Sequence, residues 1–214
     1  YPAISPNGAS ITFSWRGDVF SVPTTGGDAT RLTSHVGRDH RTAWLPDGSG
    51  IVFESDRDGA RNLYSMNADG SNLRQLTDTD AAIFLNGIGA NEAGDPLVSM
   101  SGYIEGDVYR DARSYEVPLE GGQPQRMHDA FGRSGVRSAD GTRVAFVRGA
   151  SNWFRRHYRG PDARDVWIYD DPTDTFTQMT SWEGNDGRPR WARNSVLFLS
   201  DRISPTVRCF IQTN

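Results

Sequence analysis

Between residues 43 and 77 the chain alternates short apolar runs with tight polar breaks. The runs fall at 50–55, 62–66 and 73–77 and are enriched in β-branched and aromatic residues. The breaks are Pro46-Asp47-Gly48, Asp56-Arg57-Asp58-Gly59 and Asn67-Ala68-Asp69-Gly70. Glycine tolerates positive φ, and Asp and Asn side chains bond nearby backbone N–H groups, so each break reads as a tight turn. With residues 42–45 in front, the pattern predicts four antiparallel strands joined by hairpins. Apolar spacing at i, i+3 and i+4 is nowhere sustained, so helices are not expected. One such sheet cannot bury both of its faces and needs neighbours of its own kind.

The chain supplies them by repetition. Ala3, Pro6 and Gly8 stand 40 residues before Ala43, Pro46 and Gly48. Ile11-Thr12-Phe13 matches Ile51-Val52-Phe53, and Arg31-Leu32-Thr33 matches Gln75-Leu76-Thr77. A third copy is eroded but keeps runs at 85–90, 96–100 and 114–119, then Gly121-Gly122 and Gln125-Arg126-Met127. A fourth is clear in Ser138-Ala139-Asp140-Gly141, Val144-Ala145-Phe146, Val166-Trp167-Ile168-Tyr169 and Thr177-Gln178-Met179-Thr180. The fifth has runs at 190–192, 196–200 and 207–211 and stops before a fourth strand.

Copies of this length fit radial blades. The expected fold is all-β: a β-propeller of four-stranded antiparallel blades, nearly five of them, in one domain. Their approximate bounds are 1–40, 41–84, 85–133, 134–187 and an incomplete 188–214. A two-sheet sandwich or two unrelated small sheets would not repeat one turn chemistry at one period. The centre of each second strand, at Phe13, Phe53, Val98, Phe146 and Phe198, is expected between blades. Because the fifth copy lacks an outer strand, an unclosed arc with an exposed apolar face is expected, and with it self-association.

In such blades the first-to-second and third-to-fourth turns share one face, and here they are short. The other face collects longer segments at 15–18, 34–40, 56–62, 78–84, 102–113, 149–165 and 181–189, rich in Arg, His, Asp, Trp and Tyr. Long loops on a rigid scaffold are where binding residues concentrate.

Composition narrows the classes. Only 36% of residues are hydrophobic, but 11% are aromatic, which argues against disorder. The net charge of -4 gives no reason to expect nucleic acid. No apolar run is long enough for a membrane span, and no signal peptide stands at the start. The chain opens on Tyr1 inside a repeat, so an upstream segment is expected. One cysteine, Cys209, excludes an internal disulfide and leaves the compartment open.

Chemistry-bearing patterns are few. There is no G-x-S-x-G nucleophile turn and no HExxH. His35 and His40 could share a ligand, but two histidines make a poor metal site, and solvated loop polarity is the better reading. Asp56-Arg57-Asp58-Gly59 lacks the closing Glu of a calcium loop and reads as a turn with an Asp–Arg pair. Trp44, Trp167 and Trp191 recur at strand positions and are expected in the core. No catalytic residue, metal or cofactor is assigned.

The loop at 152–165, NWFRRHYRGPDARD, stands apart. It carries Arg155, Arg156, Arg159 and Arg164 beside Trp153, Phe154, His157 and Tyr158 in an otherwise acidic chain. Arginine forks suit carboxylates or phosphates, and aromatic rings add stacking. The competing reading, which the commonness of surface ion pairs favours, is that these arginines pair with Asp162, Asp165 or Asp186 and brace adjacent blades.

The stretch AWLPDGSGIVFESDRDGARNLYSMNADGSNLRQLT resembles the propeller repeat of TolB-type proteins and tricorn-type serine peptidases. FSWRGDVF at 13–20, HYRGPDARDVWIYD at 157–170, TSWEGNDGRPRW at 180–191 and FLSDR at 198–202 are similar to blades of the N-terminal propeller of tricorn-like peptidases. The resemblance spans essentially the whole chain and implies an incomplete six-bladed ring. It implies a noncatalytic propeller that passes or binds peptides, in a parent whose PDZ-like and peptidase domains lie downstream. Its partners would be peptides or proteins, with neither nucleic acid nor membrane, and a homo-oligomer would be compatible. The resemblance leans towards the periplasm without fixing the compartment. A TolB-like protein-docking propeller, attached to no enzyme, is the alternative.

Overall fold

A computed structural model describes residues 1–105, 112–151 and 158–202, together with the backbone of 208–213. All regular structure within them is β, in five antiparallel sheets. The first holds β1 (Ala3–Ile4), β2 (Ser10–Trp15), β3 (Asp18–Pro23) and β4 (Thr30–Arg31); the second holds β5 (Asp39–Trp44), β6 (Gly50–Ser55), β7 (Asn62–Asn67) and β8 (Arg74–Gln75). The third holds β9 (Ile83–Ala90), β10 (Pro96–Gly102), β11 (Arg113–Pro118) and β12 (Gln125–Arg126). The fourth holds β13 (Arg133–Arg137), β14 (Arg143–Arg148), β15 (Asp165–Asp170) and β16 (Thr175–Gln178). The fifth has three described strands, β17 (Asp186–Ala192), β18 (Ser195–Ser200) and β19 (Arg208–Thr213). Within each sheet the strands follow chain order, as hairpins require.

The sheets stack as the blades of an incomplete β-propeller. The second and third strands of each sheet pack on the first strand of the next, so β1, β5, β9, β13 and β17 line the axis. Each of the four junctions has its own apolar core. Val19 meets Ile51, Phe53, Tyr64 and Met66 at the first, and Val52 and Leu63 meet Ile83, Leu85, Val98 and Met100 at the second. Met127 meets Val144 and Phe146 at the third, and Ala145 and Ile168 meet Val196 and Phe198 at the fourth. Strand alternation does the sorting: neighbouring residues such as Val52 and Phe53 serve opposite junctions. Phe53, Val98, Phe146 and Phe198 are buried towards the preceding sheet. Phe13, at the equivalent place in the first sheet, is only half-buried, because no described sheet lies against that face. Ile4 and Trp15 share the face and are 62% and 55% exposed.

Outer strands are shorter than the apolar runs suggest. The run at 73–77 yields only Arg74–Gln75, because Leu76 turns inward and is buried. The next residue explains the turn. Thr77 Oγ1 accepts the Leu63 N–H at 3.0 Å, closing the first rung of β7 from the side. Thr33 does the same for Val19 and Thr180 for Val166, each at 2.9 Å. A buried N–H left without a partner costs about 1–3 kcal/mol, so this threonine is a structural lock in three sheets.

In the third sheet His128 takes the threonine's place. It is buried against Phe146, with ring centres 4.1 Å apart, and near Tyr169 and Phe176. Burial pushes its pKa down to about 4, outweighing the pull of the Ala130 backbone and of Asp171. The unfolded chain, with histidine near 6.5, therefore binds the proton first, and stability present above pH 6.5 is lost as pH falls towards 4. A loss of up to about 3 kcal/mol from this residue is expected across that window. Asp165, raised to about 6 mainly by burial, works in the opposite sense. His128→Phe should flatten the acid limb of a denaturant-monitored pH titration; an unchanged limb would show that His128 is not its source.

Candidate functional site

The inner strands surround a cavity of about 680 Å³. Its shape follows from a repeated irregularity. β5 is bulged at Arg41, β13 at Ser134 and β17 at Arg188, and these residues hold φ of 40°, 59° and 53°. In β9 the ladder skips Asn86, between Leu85–Met100 and Gly87–Ser99. Tyr1 stands at the matching place before β1, by the repeat spacing. A non-glycine residue at positive φ costs on the order of 1 kcal/mol, and a bulge re-aims the side chain it carries. Here the re-aimed set is polar, and it faces the axis.

Arginine dominates the lining. Arg41, Arg133, Arg137, Arg164, Arg188 and Arg190 border the cavity, and no Asp or Glu does so among the described residues. Arg137 is neutralised: it is bidentate to Glu116 at 2.7 and 2.9 Å and also pairs with Asp171, which raises its pKa against the effect of burial. Arg41 shares the buried Glu54 with Arg61, at 3.3 and 3.7 Å, while Glu54 also accepts the Leu85 N–H. Arg190 donates to the carbonyls of Pro189 and Asn86. Arg188 donates to the Tyr1 hydroxyl at 3.2 Å, and the Tyr1 ring lies between Arg188 and Arg41, 5.2 and 4.4 Å from their guanidinium carbons. Burial lowers the Arg190 pKa, with Arg188 and Arg41 adding to it, and brings Arg164 to about 10 with help from Arg133 and Arg188.

Aromatic and apolar side chains complete the wall. Trp44 and Trp191 are half-buried at the cavity edge rather than sealed in the core. Each indole N–H donates across a junction, Trp44 to Ala3 O at 3.2 Å and Trp191 to Val136 O at 2.9 Å. The two tryptophans thus tie successive inner strands together while presenting a flat surface to the axis.

The loop singled out from sequence borders this site. Arg164 lines the axial cavity. Pro161, Asp162 and Ala163 line a second hollow of about 460 Å³, which shares Ala112 and Arg133 with the first. Arg159 pairs with Glu183 at 3.1 Å, both well exposed, and Tyr158 is half-buried. Trp153, Arg155, Arg156 and His157 lie outside the described residues. Of the acids named for bracing, Asp165 accepts from Thr180 and Gln178, and Asp186 pairs with Arg202.

Other candidates resolve locally. Arg57 pairs with Asp39, not with the adjacent Asp56, whose carboxylate takes the Arg38 N–H. His35 Nδ1 accepts the Gly37 N–H. Among the described residues no group of three or more His, Cys, Asp or Glu is placed to hold a metal ion. Arg41, Arg188 and Arg190 went unremarked in the sequence because each looks like an ordinary strand residue. Superposing the repeats at the inner strand would have shown Arg41 and Arg188 at one position.

Residues 1–211 match the family model of the tricorn protease N-terminal beta propeller domain. Tricorn protease homolog 1 of Streptomyces coelicolor is 26% identical over 202 residues, 92% of this chain and 18% of that protein. Among solved structures, tricorn protease superposes with a TM-score of 0.75 at 19% identity, over 99% of this chain and 21% of that one. A putative TolB from Agrobacterium tumefaciens gives 0.74 at 14% identity, over 99% and 76%. The chain spans 18% and 53% of the length of two curated relatives that it matches.

Proposed function

The chain belongs to the family of tricorn protease N-terminal β-propeller domains, and from that premise we propose that it is a noncatalytic propeller that binds or passes peptides for a peptidase domain elsewhere in its parent protein. The observation that carries this reading is the axial cavity itself. It is large enough for several residues of extended chain, and its wall combines flat aromatic surfaces with guanidinium donors. That mixture suits a peptide, whose carbonyls, carboxylates and side chains it can meet together. The loop at 152–165 belongs to the same proposal, since its Arg164 already borders the cavity; Trp153, Arg155, Arg156, His157, Tyr158 and Arg159 would extend the contact outwards.

Gly87 offers a direct test. A Cβ there would sit in ordinary van der Waals contact with Val136 and the Arg190 guanidinium, 3.6 and 4.0 Å away, without a clash. Gly87→Phe should therefore fill the axis from a position that accepts a side chain, and an unchanged melt shows that the Val136 junction is intact. With a mixed-sequence photo-crosslinking peptide, wild-type protein should be labelled on its inner strands and Gly87→Phe only weakly, at an unchanged melting temperature. Replacing Arg155, Arg156 and Arg159 by Gln should weaken labelling in the same way; a lower melt with labelling intact would make that loop a brace. The second reading, a TolB-like protein-docking propeller, is favoured by the extent of the match to the TolB-like structure. It predicts no peptide labelling in either protein.

A further inference from the structure

We propose that the bulged ring at the axis is a carboxylate-binding site, with Arg188 and Arg190 as the two donors that a ligand engages and the Tyr1 and Trp191 rings as its walls. The inference rests on the peptide reading above and adds the chemistry that the cavity selects. Charge is the first argument. A chain of net charge -4 collects six arginines around one cavity and, among the described residues, no acid.

Not all six are available. Arg137 is held by Glu116 and Asp171, and Arg41 by Glu54. Among the described residues Arg188 and Arg190 meet neutral partners, the Tyr1 hydroxyl and two backbone carbonyls. Both residues stay exposed to the cavity. Two guanidinium groups on one strand, close to a third at Arg41, repel one another, and an anion between them would relieve that repulsion.

Backbone strain is the second argument. Arg188 and Arg41 both occupy the bulge at positive φ, where neither has a paired residue across the ladder. Strain of this kind persists where the surroundings enforce it and clusters at ligand clamps. The bulge turns Arg188 towards Tyr1, whose ring centre lies 5.2 Å from its guanidinium carbon and 4.4 Å from that of Arg41. The Tyr1 hydroxyl takes only Nη2 of Arg188, and a carboxylate matches a guanidinium fork in a planar, bidentate way.

A carboxylate can come from an acidic side chain or from a peptide's own C-terminus, and three probes separate them. In the protein that carries this propeller, binding is measured by fluorescence anisotropy for one acetylated, amidated neutral hexapeptide, the same peptide with a central Glu, and the neutral peptide with a free C-terminus. Wild-type protein should prefer at least one carboxylate-bearing peptide over the neutral one by about tenfold. Arg188→Gln/Arg190→Gln should erase the preference for carboxylate-bearing over neutral peptide, whatever the affinity for the neutral one, while Arg31→Gln, remote on the first sheet, should keep it. If the double variant melts early, Arg188→Gln alone carries the test, since among the described residues its side chain donates to Tyr1 and to no backbone group. A preference that survives the arginine substitutions, or no preference at all, overturns the site. Neutral-peptide binding that Gly87→Phe abolishes, without carboxylate preference, sinks the site and keeps the peptide reading; no peptide binding of any kind sinks both.

Discussion

Asp39→Ala is expected to destabilise the fold by about 3–5 kcal/mol, the cost of leaving one member of a buried ion pair alone. Asp39 opens the inner strand β5 and is fully buried. Both of its oxygens accept from Arg57 Nη2, at 2.9 and 3.0 Å. Arg57 is itself only 10% exposed; its Nε donates to Ser55 Oγ, and its guanidinium lies against the Phe53 and Tyr64 rings. The same Ser-Asp-Arg arrangement recurs in the fifth sheet, where Arg202 donates to Ser200 Oγ and pairs with buried Asp186 at 2.6 Å. Arg202 is 31% exposed, so Asp186→Ala should cost less. Denaturant titration of both variants checks the ordering. Equal, small losses would mean that the pair is no more than a surface contact. Replacing Asp39 and Arg57 together by leucine should cost less than Asp39→Ala alone, because no unpaired charge then stays behind.

This motif shows what local sequence can and cannot carry. The turn at 56–59 was legible because Asp and Gly have strong backbone preferences, and Gly59 N–H does bond Asp56 O at 3.1 Å. The partner of Arg57 was not, since Asp39 lies in another strand and only the closed sheet brings it near. The blades were legible for a similar reason: turn chemistry and strand alternation are local, and they repeat. Outer strands were overestimated because nothing in Leu76-Thr77 announces that the hydroxyl will replace a ladder bond. The axial site was the least legible part. Its bulges sit on Arg41, Ser134 and Arg188 rather than on glycine, so the usual signal for positive φ is absent. Its members also come from separate blades, and each makes sense only once the ring is assembled. Arg164 of the arginine-rich loop borders this cavity, whereas the place of Arg188 and Arg190 in it needed the structure.

Phe146→Ala should cost about 3–5 kcal/mol, as large truncations in a closed core do. Phe146 is fully buried in the middle of β14, between Met127 and the rest of the junction from the third to the fourth sheet. His128 lies against its ring and Phe176 meets it edge-on, with centres 6.0 Å apart. A Cβ on Gly132 would come within 2.6 Å of the ring, which shows how little space surrounds it. The walls are strands of two separate sheets, so they cannot collapse into the hole without breaking ladder bonds, and the cavity term stays near its full size. Phe13 is the control. It occupies the same repeat position and faces the same way, but it is half-buried and stacks only on Phe20, 5.8 Å between centres, with no described sheet beyond it. Phe13→Ala should therefore cost about 1–2 kcal/mol, mostly lost transfer free energy. Comparing the two in one denaturant series isolates what a neighbouring blade contributes to an otherwise identical residue. A loss at Phe146 below about 0.5 kcal/mol, the range of surface substitutions, would mean that β14 does not face the third sheet in this register.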